Sequence, residues 1–252
     1  MVAWRVVLLR LSVFTLLAVG ACVPDDKPGH ESGATSAAPT SAPFHVVDPN
    51  AGAGPKLETR FTDSFERGDL GADWNVTGPG WSLKEGRLCV AGAHNHPAWL
   101  RRRLPVNARI EFEATSASSE GDLKAEAWGD GVSAATGASY RDATSYIVIY
   151  GGWKNTMHVL ARLNEHAKDR TELRVEPGES DPRAQPVLAD RTYRFKIERT
   201  DGQTVRYFVD DIEILSLKDP SPLTGVGHEH FGFNDWQVPA CFDNLVITPL
   251  KG

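Results

Sequence analysis

The sequence predicts an all-β protein built as an antiparallel sandwich of two sheets. Three observations predict it. Apolar and polar residues alternate with a period of two in many short runs, and Gly, Pro and Asp separate those runs. Helical periodicity is weak along the whole chain, so no long helix competes with the strands. This combination is typical of β-sandwiches and barrels.

The predicted strands follow one another from residue 81 onwards. In chain order they are 81–90 (with a turn at 85–86), 109–115, 123–128, 146–150, 157–163, 193–199, 205–210, 231–233 and 242–247. Alternation is cleanest in 109–115, where Ile110 and Phe112 alternate with Glu111 and Glu113. Asp201-Gly202 is a hairpin signal between two of the runs. The prolines within 178–189 favour a loop there over a short helix.

One polar face recurs from strand to strand and predicts a binding groove. If the apolar side of each strand packs inward, the other sides form one exposed face of a curved sheet. That face carries Glu111, Glu113, Lys124, Glu126, Trp128, Tyr146, Tyr150, His158 and Arg162. Trp153 and Trp236 lie in neighbouring loops, where binding residues often occur.

This set of side chains suits sugar recognition. Aromatic rings cover the C–H faces of a pyranose, and charged groups form hydrogen bonds with its hydroxyls. The expected ligand is therefore a polysaccharide or another glycan. A solvated outer face with cross-strand ion pairs is the alternative interpretation.

The chain begins with a segment that reads as a signal peptide. Arg5 and Arg10 precede or flank a short apolar run, which ends in small residues. Val19-Gly20-Ala21-Cys22 resembles the bacterial lipobox, in which a peptidase cuts before the cysteine and the thiol carries lipid. The resemblance implies a signal peptide at 1–21 and a protein anchored in the membrane through lipid at Cys22. We expect it at the cell membrane or outer membrane, facing the periplasm or the exterior.

Residues 22–56 predict a disordered tether. They are rich in Pro, Ala, Ser, Thr and Gly and hold few large apolar residues, so they cannot bury enough surface to offset the entropy of ordering. The globular domain is then 57–252, a length that suits a single sandwich.

Charge argues against two classes of partner. The chain has 27 Lys and Arg against 33 Asp and Glu, which gives a net charge of −6, and removal of the leader makes it more negative. A nucleic-acid partner would favour a basic face, so none is expected. Electrostatic adhesion to anionic lipid headgroups is disfavoured for the same reason.

Cys89 and Cys241 are the two cysteines that follow the lipobox. In an oxidising compartment they are candidates for a disulfide bond. Two buried free thiols are the alternative, since spacing does not show whether the two Cα atoms approach each other.

Both ends of the predicted domain resemble the concanavalin A-like lectin and glucanase superfamily, which includes laminin-G-like modules. The opening motifs are 61–65, Trp74 and 81–88, and the closing ones are 193–198, 209–214 and 242–247. The resemblance implies a jelly-roll sandwich in which the last strand returns beside the first. It specifies no single function, because the superfamily holds lectins, glycosidases and lyases.

Catalysis is the second interpretation, a glycoside hydrolase or polysaccharide lyase on the same scaffold. Glycosidases need two carboxyl groups, and Glu113 with Glu126 on a neighbouring strand is the candidate pair. The β-glucanases of this superfamily carry a Glu-x-Asp-x-Glu run. Here Ala114-Thr115 follows Glu113, and no such run exists, which argues against that activity.

Two metal sites are conceivable from the sequence. His94-Asn-His96 and His228-Glu-His230 have the spacing of ligands on one side of an extended segment, although loop histidines are the simpler interpretation. Asp63 and Asp243, on the first and last strands, are candidate ligands for Ca²⁺. The leading hypothesis is a lipid-anchored carbohydrate-binding protein. The alternatives are the glycan-active enzyme and a non-catalytic protein-interaction lipoprotein.

Overall fold

The structure, a computed structural model, describes residues 54–251. The predicted signal peptide, Cys22 and most of the tether lie outside the described residues. At the start of the described segment, Lys56 forms a β-bridge with Arg103, so paired backbone begins just before the predicted boundary at 57. Within residues 54–251 no helix has the length and hydropathy needed to cross a bilayer.

The described chain forms fifteen strands and one helical turn. They are β1 Phe61–Asp63, β2 Trp74–Val76, β3 Ser82–Lys84, β4 Arg87–Val90, β5 Ala98–Leu100, β6 Ala108–Ser116, β7 Leu123–Gly129, β8 Tyr146–Gly151, α1 Gly152–Asn155, β9 Met157–Arg162, β10 Thr171–Arg174, β11 Thr192–Arg199, β12 Thr204–Val209, β13 Ile212–Lys218, β14 His230–Asn234 and β15 Ala240–Pro249. A short 3₁₀ turn spans Pro182–Ala184 within the predicted loop 178–189.

The strands form two antiparallel sheets, which confirms the predicted fold class. Sheet I has the order β13-β12-β11-β6-β15-β4-β3, with β1 also paired to β15, and sheet II has the order β10-β9-β8-β7-β14-β5-β2. The last strand thus returns beside the first, in the register Phe61 to Ile247. Cys89 and Cys241 are opposite each other on β4 and β15 and are joined by a disulfide bond.

The main core lies between the sheets, and alternation explains which residues enter it. On β6, Ile110, Phe112 and Ala114 are buried and the residues between them are partly exposed. Phe112 stacks on Phe195 of β11 with ring centroids 5.0 Å apart. Aromatic side chains of this size contribute much of the apolar surface removed from water.

Sheet II has a second, smaller apolar cluster on its outer face. Ile147, Ile149, Val159 and Ala161 point away from sheet I and pack against Tyr140 and Ala143 of the loop before β8. Sheet II is therefore buried on both sides, and the open groove expected from the sequence does not run across it.

Candidate functional site

A pocket of about 300 Å³ lies at one end of sheet II, on its outer face. β7 begins there, and its antiparallel neighbours β8 and β14 end there. The lining residues come from these three strand ends and from adjoining loops. They are Glu120, Asp122, Lys124, Ala138, Ser139, Ile149, Gly152, Trp153, Lys154, Glu165, His166, Trp236, Gln237 and Val238.

Lys124 forms the base of the pocket. Its side chain is 3% exposed, and its Nζ lies 2.9 Å from Glu165 Oε2 and 2.7 Å from Asn95 Oδ1. Burial favours the neutral amine, but the carboxylates of Asp122 and Glu165 outweigh it and raise the pKa of Lys124. The base therefore holds a fixed positive charge among carboxylates.

Three buried polar atoms around Lys124 have no hydrogen-bond partner within the described chain. They are Asn95 Nδ2, Asp122 Oδ1 and Asp235 Oδ1. Burial raises the pKa of Asp122, and it raises the pKa of Asp235 to about 7. An unpaired buried polar atom costs about 1–3 kcal/mol. Of these three residues only Asp122 lines the pocket, so its Oδ1 is the unpaired acceptor that a ligand hydroxyl group would meet there.

Trp153 forms one wall and is held in an unusual backbone conformation. It lies in α1, where Trp153 and Lys154 are left-handed, with φ of 51° and 58°. Such residues cost about 1–3 kcal/mol each and persist only where surrounding contacts fix them. Asn155 supplies these contacts, because its side chain donates to the carbonyls of Ser119 and Val187. The guanidinium of Arg170 lies 4.6 Å from the Trp153 ring.

Trp236 also lines the pocket and lies in the loop after β14. His94 packs edge-on against its ring with centroids 4.7 Å apart, and the His94 amide donates to the Trp236 carbonyl at 2.9 Å. His94 thus supports an aromatic wall. Among residues 54–251 no group of three His, Cys, Asp or Glu side chains is arranged to hold a metal ion.

The prediction of a single binding face is wrong. Lys124 and Glu126 do point outward from sheet II, but Glu111 and Glu113 point outward from sheet I, on the other layer. Both line a depression on the outside of sheet I, in which most of the lining side chains are charged. Arg194 bonds Asp211 at 3.0 Å, and Asn244 donates to Glu113 at 3.0 Å.

Three predicted aromatic residues face the core instead. Tyr146 and Tyr150 point toward sheet I, because both sides of β8 are apolar and the opposite side packs under the loop before it. Trp128 does not point to the same side of sheet II as Lys124 and Glu126, but into the core between the sheets. Its backbone is left-handed, with φ of 56°, at a β-bulge opposite β14, which re-aims the side chain.

His158 and Arg162 also lie on the side of sheet II that faces sheet I. His158 is fully buried and stacks on Tyr150 at 4.1 Å, and burial lowers its pKa to about 4. Arg162 donates to Asp219 at 2.7 Å, as does the Tyr146 hydroxyl. Both residues support the edge of the sandwich and do not line the pocket.

The proposed catalytic pair is wrong for the same geometric reason. Glu113 and Glu126 lie on opposite layers and cannot act on one bond. Glu126 is fully buried and accepts hydrogen bonds from Tyr140, Ser145 and Asn234. Burial raises the pKa of Glu126 to about 7.

The candidate Ca²⁺ pair is not arranged around one point either. Both oxygens of Asp63 are taken by Arg67, and Trp74 Nε1 donates to one of them at 2.8 Å. Asp243 lies opposite Glu113 on the outside of sheet I.

Sequence reasoning found Lys124, Trp153 and Trp236 but missed the other polar groups at the base. Extending the alternation of β7 backwards by one step would have added Asp122 to the side of Lys124. Glu165 and Asn95 come from loops, and no local pattern indicates that they meet Lys124.

Comparison with known proteins gives the fold. No family model matches the chain, and no curated protein matches it. Among solved structures, a Bacillus licheniformis β-glucanase is 10% identical, covers 77% of this chain and 100% of its own, and gives a TM-score of 0.52. The chain has a concanavalin A-like fold.

Two further solved structures are similar in fold to this chain. A prokaryotic β-1,3-1,4-glucanase (lichenase) from a mouse hindgut metagenome is 11% identical, with 76% of this chain and 99% of that chain covered and a TM-score of 0.50. A structure from work on endo-acting O-glycanases of the human gut microbiota is 12% identical, with 76% and 99% covered and a TM-score of 0.50. At such identities the likeness establishes the jelly-roll sandwich and leaves the activity to the site itself.

Proposed function

We propose that this protein binds carbohydrate in the pocket at the end of sheet II. The observation that carries the proposal is the joint presence, in the pocket lining, of two tryptophans and a buried carboxylate oxygen that has no hydrogen-bond partner. Trp153 and Trp236 offer partly exposed aromatic rings, and the unpaired Oδ1 of Asp122 offers an acceptor beside Lys124. A sugar presents the complement of both, with C–H faces and hydroxyl groups.

The depression on sheet I supports the choice by contrast. It has a similar volume, about 320 Å³, but most of its lining side chains are charged, Arg194 and Asp211 form an ion pair there, and it contains no tryptophan. It matches the solvated outer face that was the alternative interpretation. Equal volume with different lining means that chemistry, and not size, distinguishes the two.

The fold neighbours support a glycan as the ligand class. Their names describe a β-glucanase, a lichenase and O-glycanases, all of which act on glycans. We also propose that the chain is lipid-anchored at Cys22 and faces an extracytoplasmic compartment, on the strength of the lipobox-like residues 19–22. A Cys22→Ala variant should then leave the membrane fraction of the producing bacterium.

A glycan array followed by calorimetry on the best ligand tests the binding proposal. Trp153→Ala and Trp236→Ala should each weaken binding at least tenfold, because each removes one wall of the pocket. Glu111→Gln and Glu113→Gln, on the other layer, are matched controls and should bind as the parent does. Equal loss in the controls, or no loss in the tryptophan variants, would contradict the site assignment.

Glycan cleavage at the same pocket is the second candidate function. Asp122 favours it, because it lines the pocket and burial raises its pKa, which moves the carboxyl group toward the protonated form that a general acid needs. Release of new reducing ends by the parent protein, and its absence in Asp122→Asn, would identify an enzyme.

A protein-interaction role has less support, because Val106, Leu188 and Val226 are the only large apolar side chains exposed among residues 54–251.

A further inference from the structure

The segment 130–145, here called the cover, lies over the outer face of sheet II. Tyr140 and Ala143 of the cover pack on Ile147 and Val159 of the sheet. Trp99 of β5 is fully buried on the same face and donates its indole N–H to the Ser133 carbonyl at 2.8 Å. The centre of the face is therefore occupied by the protein itself.

Hydrogen bonds fasten the cover at several places along its length. Asn75 Nδ2 donates to the Gly131 carbonyl at 3.0 Å near its start, and the Ala135 amide donates to the Asn95 carbonyl at 3.0 Å. Near its end, the Tyr140 and Ser145 hydroxyls both donate to Glu126. Removing the cover would break these bonds and expose the apolar cluster beneath it, so the cover is a fixed part of the fold.

The edge of the cover is one wall of the pocket. Ala138 and Ser139 line it, while α1 and the loop after β14 line other sides. A ligand that enters the pocket contacts Lys124 at its base. On the side nearest the centre of sheet II, the ligand contacts the cover. An extended chain passing along the sheet face would have to occupy the volume that Tyr140 and Ala143 fill.

From this geometry we infer that the pocket receives the end of a glycan chain, and that internal stretches of a polysaccharide are excluded. The inference rests on the proposed function and narrows its ligand class to terminal sugars. The volume supports it, because about 300 Å³ is at the lower end of ligand pockets and leaves no room for a run of residues.

The test uses a glycan array with three matched forms of each sugar, namely linear oligomers of two to eight residues, the same oligomers capped by a different terminal sugar, and a cyclic form without ends. Terminal recognition predicts binding that does not grow with length, that is lost at least tenfold on capping, and that is absent for the cyclic form. Binding that increases with length and tolerates capping or cyclisation would overturn the inference while leaving the proposed function intact. No binding to any form would overturn both.

A variant provides a second, independent test. Ser139→Trp places a large ring at the exposed edge of the cover, and it should reduce binding of the best linear oligomer at least tenfold by obstructing the pocket. Ser180→Trp, at another exposed serine far along the chain, is the matched control and should bind normally. Unchanged binding in Ser139→Trp would show that the ligand does not approach the cover and would overturn the inference.

Discussion

Glu126 is a buried residue that connects sheet II to the cover, and its titration makes the stability of the fold depend on pH. Its carboxyl group is fully buried, and its hydrogen-bond donors come from the cover and from β14. Burial raises its pKa from 4.5 to about 7, so the folded protein holds a proton there that the unfolded chain releases at lower pH.

The sign of this shift gives the first prediction. Below pH 4.5 both states are protonated, and as the pH rises toward 7 the unfolded state ionises first, so stability falls across that window. The loss from Glu126 is about 3 kcal/mol for the full shift, and Asp235 acts in the same direction. Urea unfolding at pH 5 and pH 8 should show a smaller difference for Glu126→Gln than for the parent. An equal difference in both proteins would show that Glu126 does not titrate in this window.

Lys124 and Glu165 give the second prediction, since they form a buried ion pair. Lys124→Met leaves the Glu165 carboxylate buried without its cation and should lower the free energy of unfolding by about 3–5 kcal/mol. The double variant Lys124→Met/Glu165→Gln should recover part of that loss, because it removes the second charge as well. Losses that simply add in a double-mutant cycle would mean that the two charges do not interact.

At the scale of the elements, alternation predicts a face only where one side of a strand is polar. β6 meets this condition, and its inward and outward residues are as expected from the sequence. β8 reads Tyr-Ile-Val-Ile-Tyr, which is apolar on both sides, so its pattern cannot say which side meets sheet I. β7 alternates as expected until the bulge at Trp128 reverses its last residues, and a left-handed tryptophan has no signature in the sequence.

The cover gives the third prediction. Tyr140→Phe removes one donor from Glu126 and should cost about 1–2 kcal/mol of stability, while Tyr140→Ala also removes the ring over Ile147 and should cost about 3–5 kcal/mol. Chemical unfolding measures both losses. Hydrogen exchange of the β8 amides should rise in Tyr140→Ala and stay near the parent value in Tyr140→Phe. If Tyr140→Ala is as stable as the parent, the cover does not pack as described.

At the scale of the whole molecule, the disulfide ties strands that are distant in the chain. Cys89 and Cys241 are 152 residues apart and join β4 to β15 within sheet I. The long loop that they close restricts the unfolded chain, so the double variant Cys89→Ser/Cys241→Ser should lose about 3–5 kcal/mol of stability. Cys22, the proposed site of lipidation, is left unchanged. A loss below about 1 kcal/mol would show that the bond contributes little to the fold.

The whole molecule also shows how much of the fold and of the site can be predicted from the sequence. The fold class followed from strand periodicity, and resemblance at both ends of the domain indicated how the chain closes. The site followed only in part, because its base is assembled from a strand residue, Lys124, and loop residues such as Asn95 and Glu165 that lie far apart in the chain. Side-chain contacts between distant loops depend on the packed fold and leave no periodic signal.

The central claim is that the glycan binds at the end of sheet II, in the pocket that Trp153 and Trp236 line. Titration of the ¹⁵N-labelled protein with its best array ligand tests it directly, because each of the six tryptophans in residues 54–251 has its own indole N–H resonance. We predict that the Trp153 and Trp236 indole resonances shift strongly while those of the buried Trp74 and Trp99 stay in place. Shifts confined to the backbone amides around Glu111 and Glu113 would contradict the claim and place the ligand on sheet I.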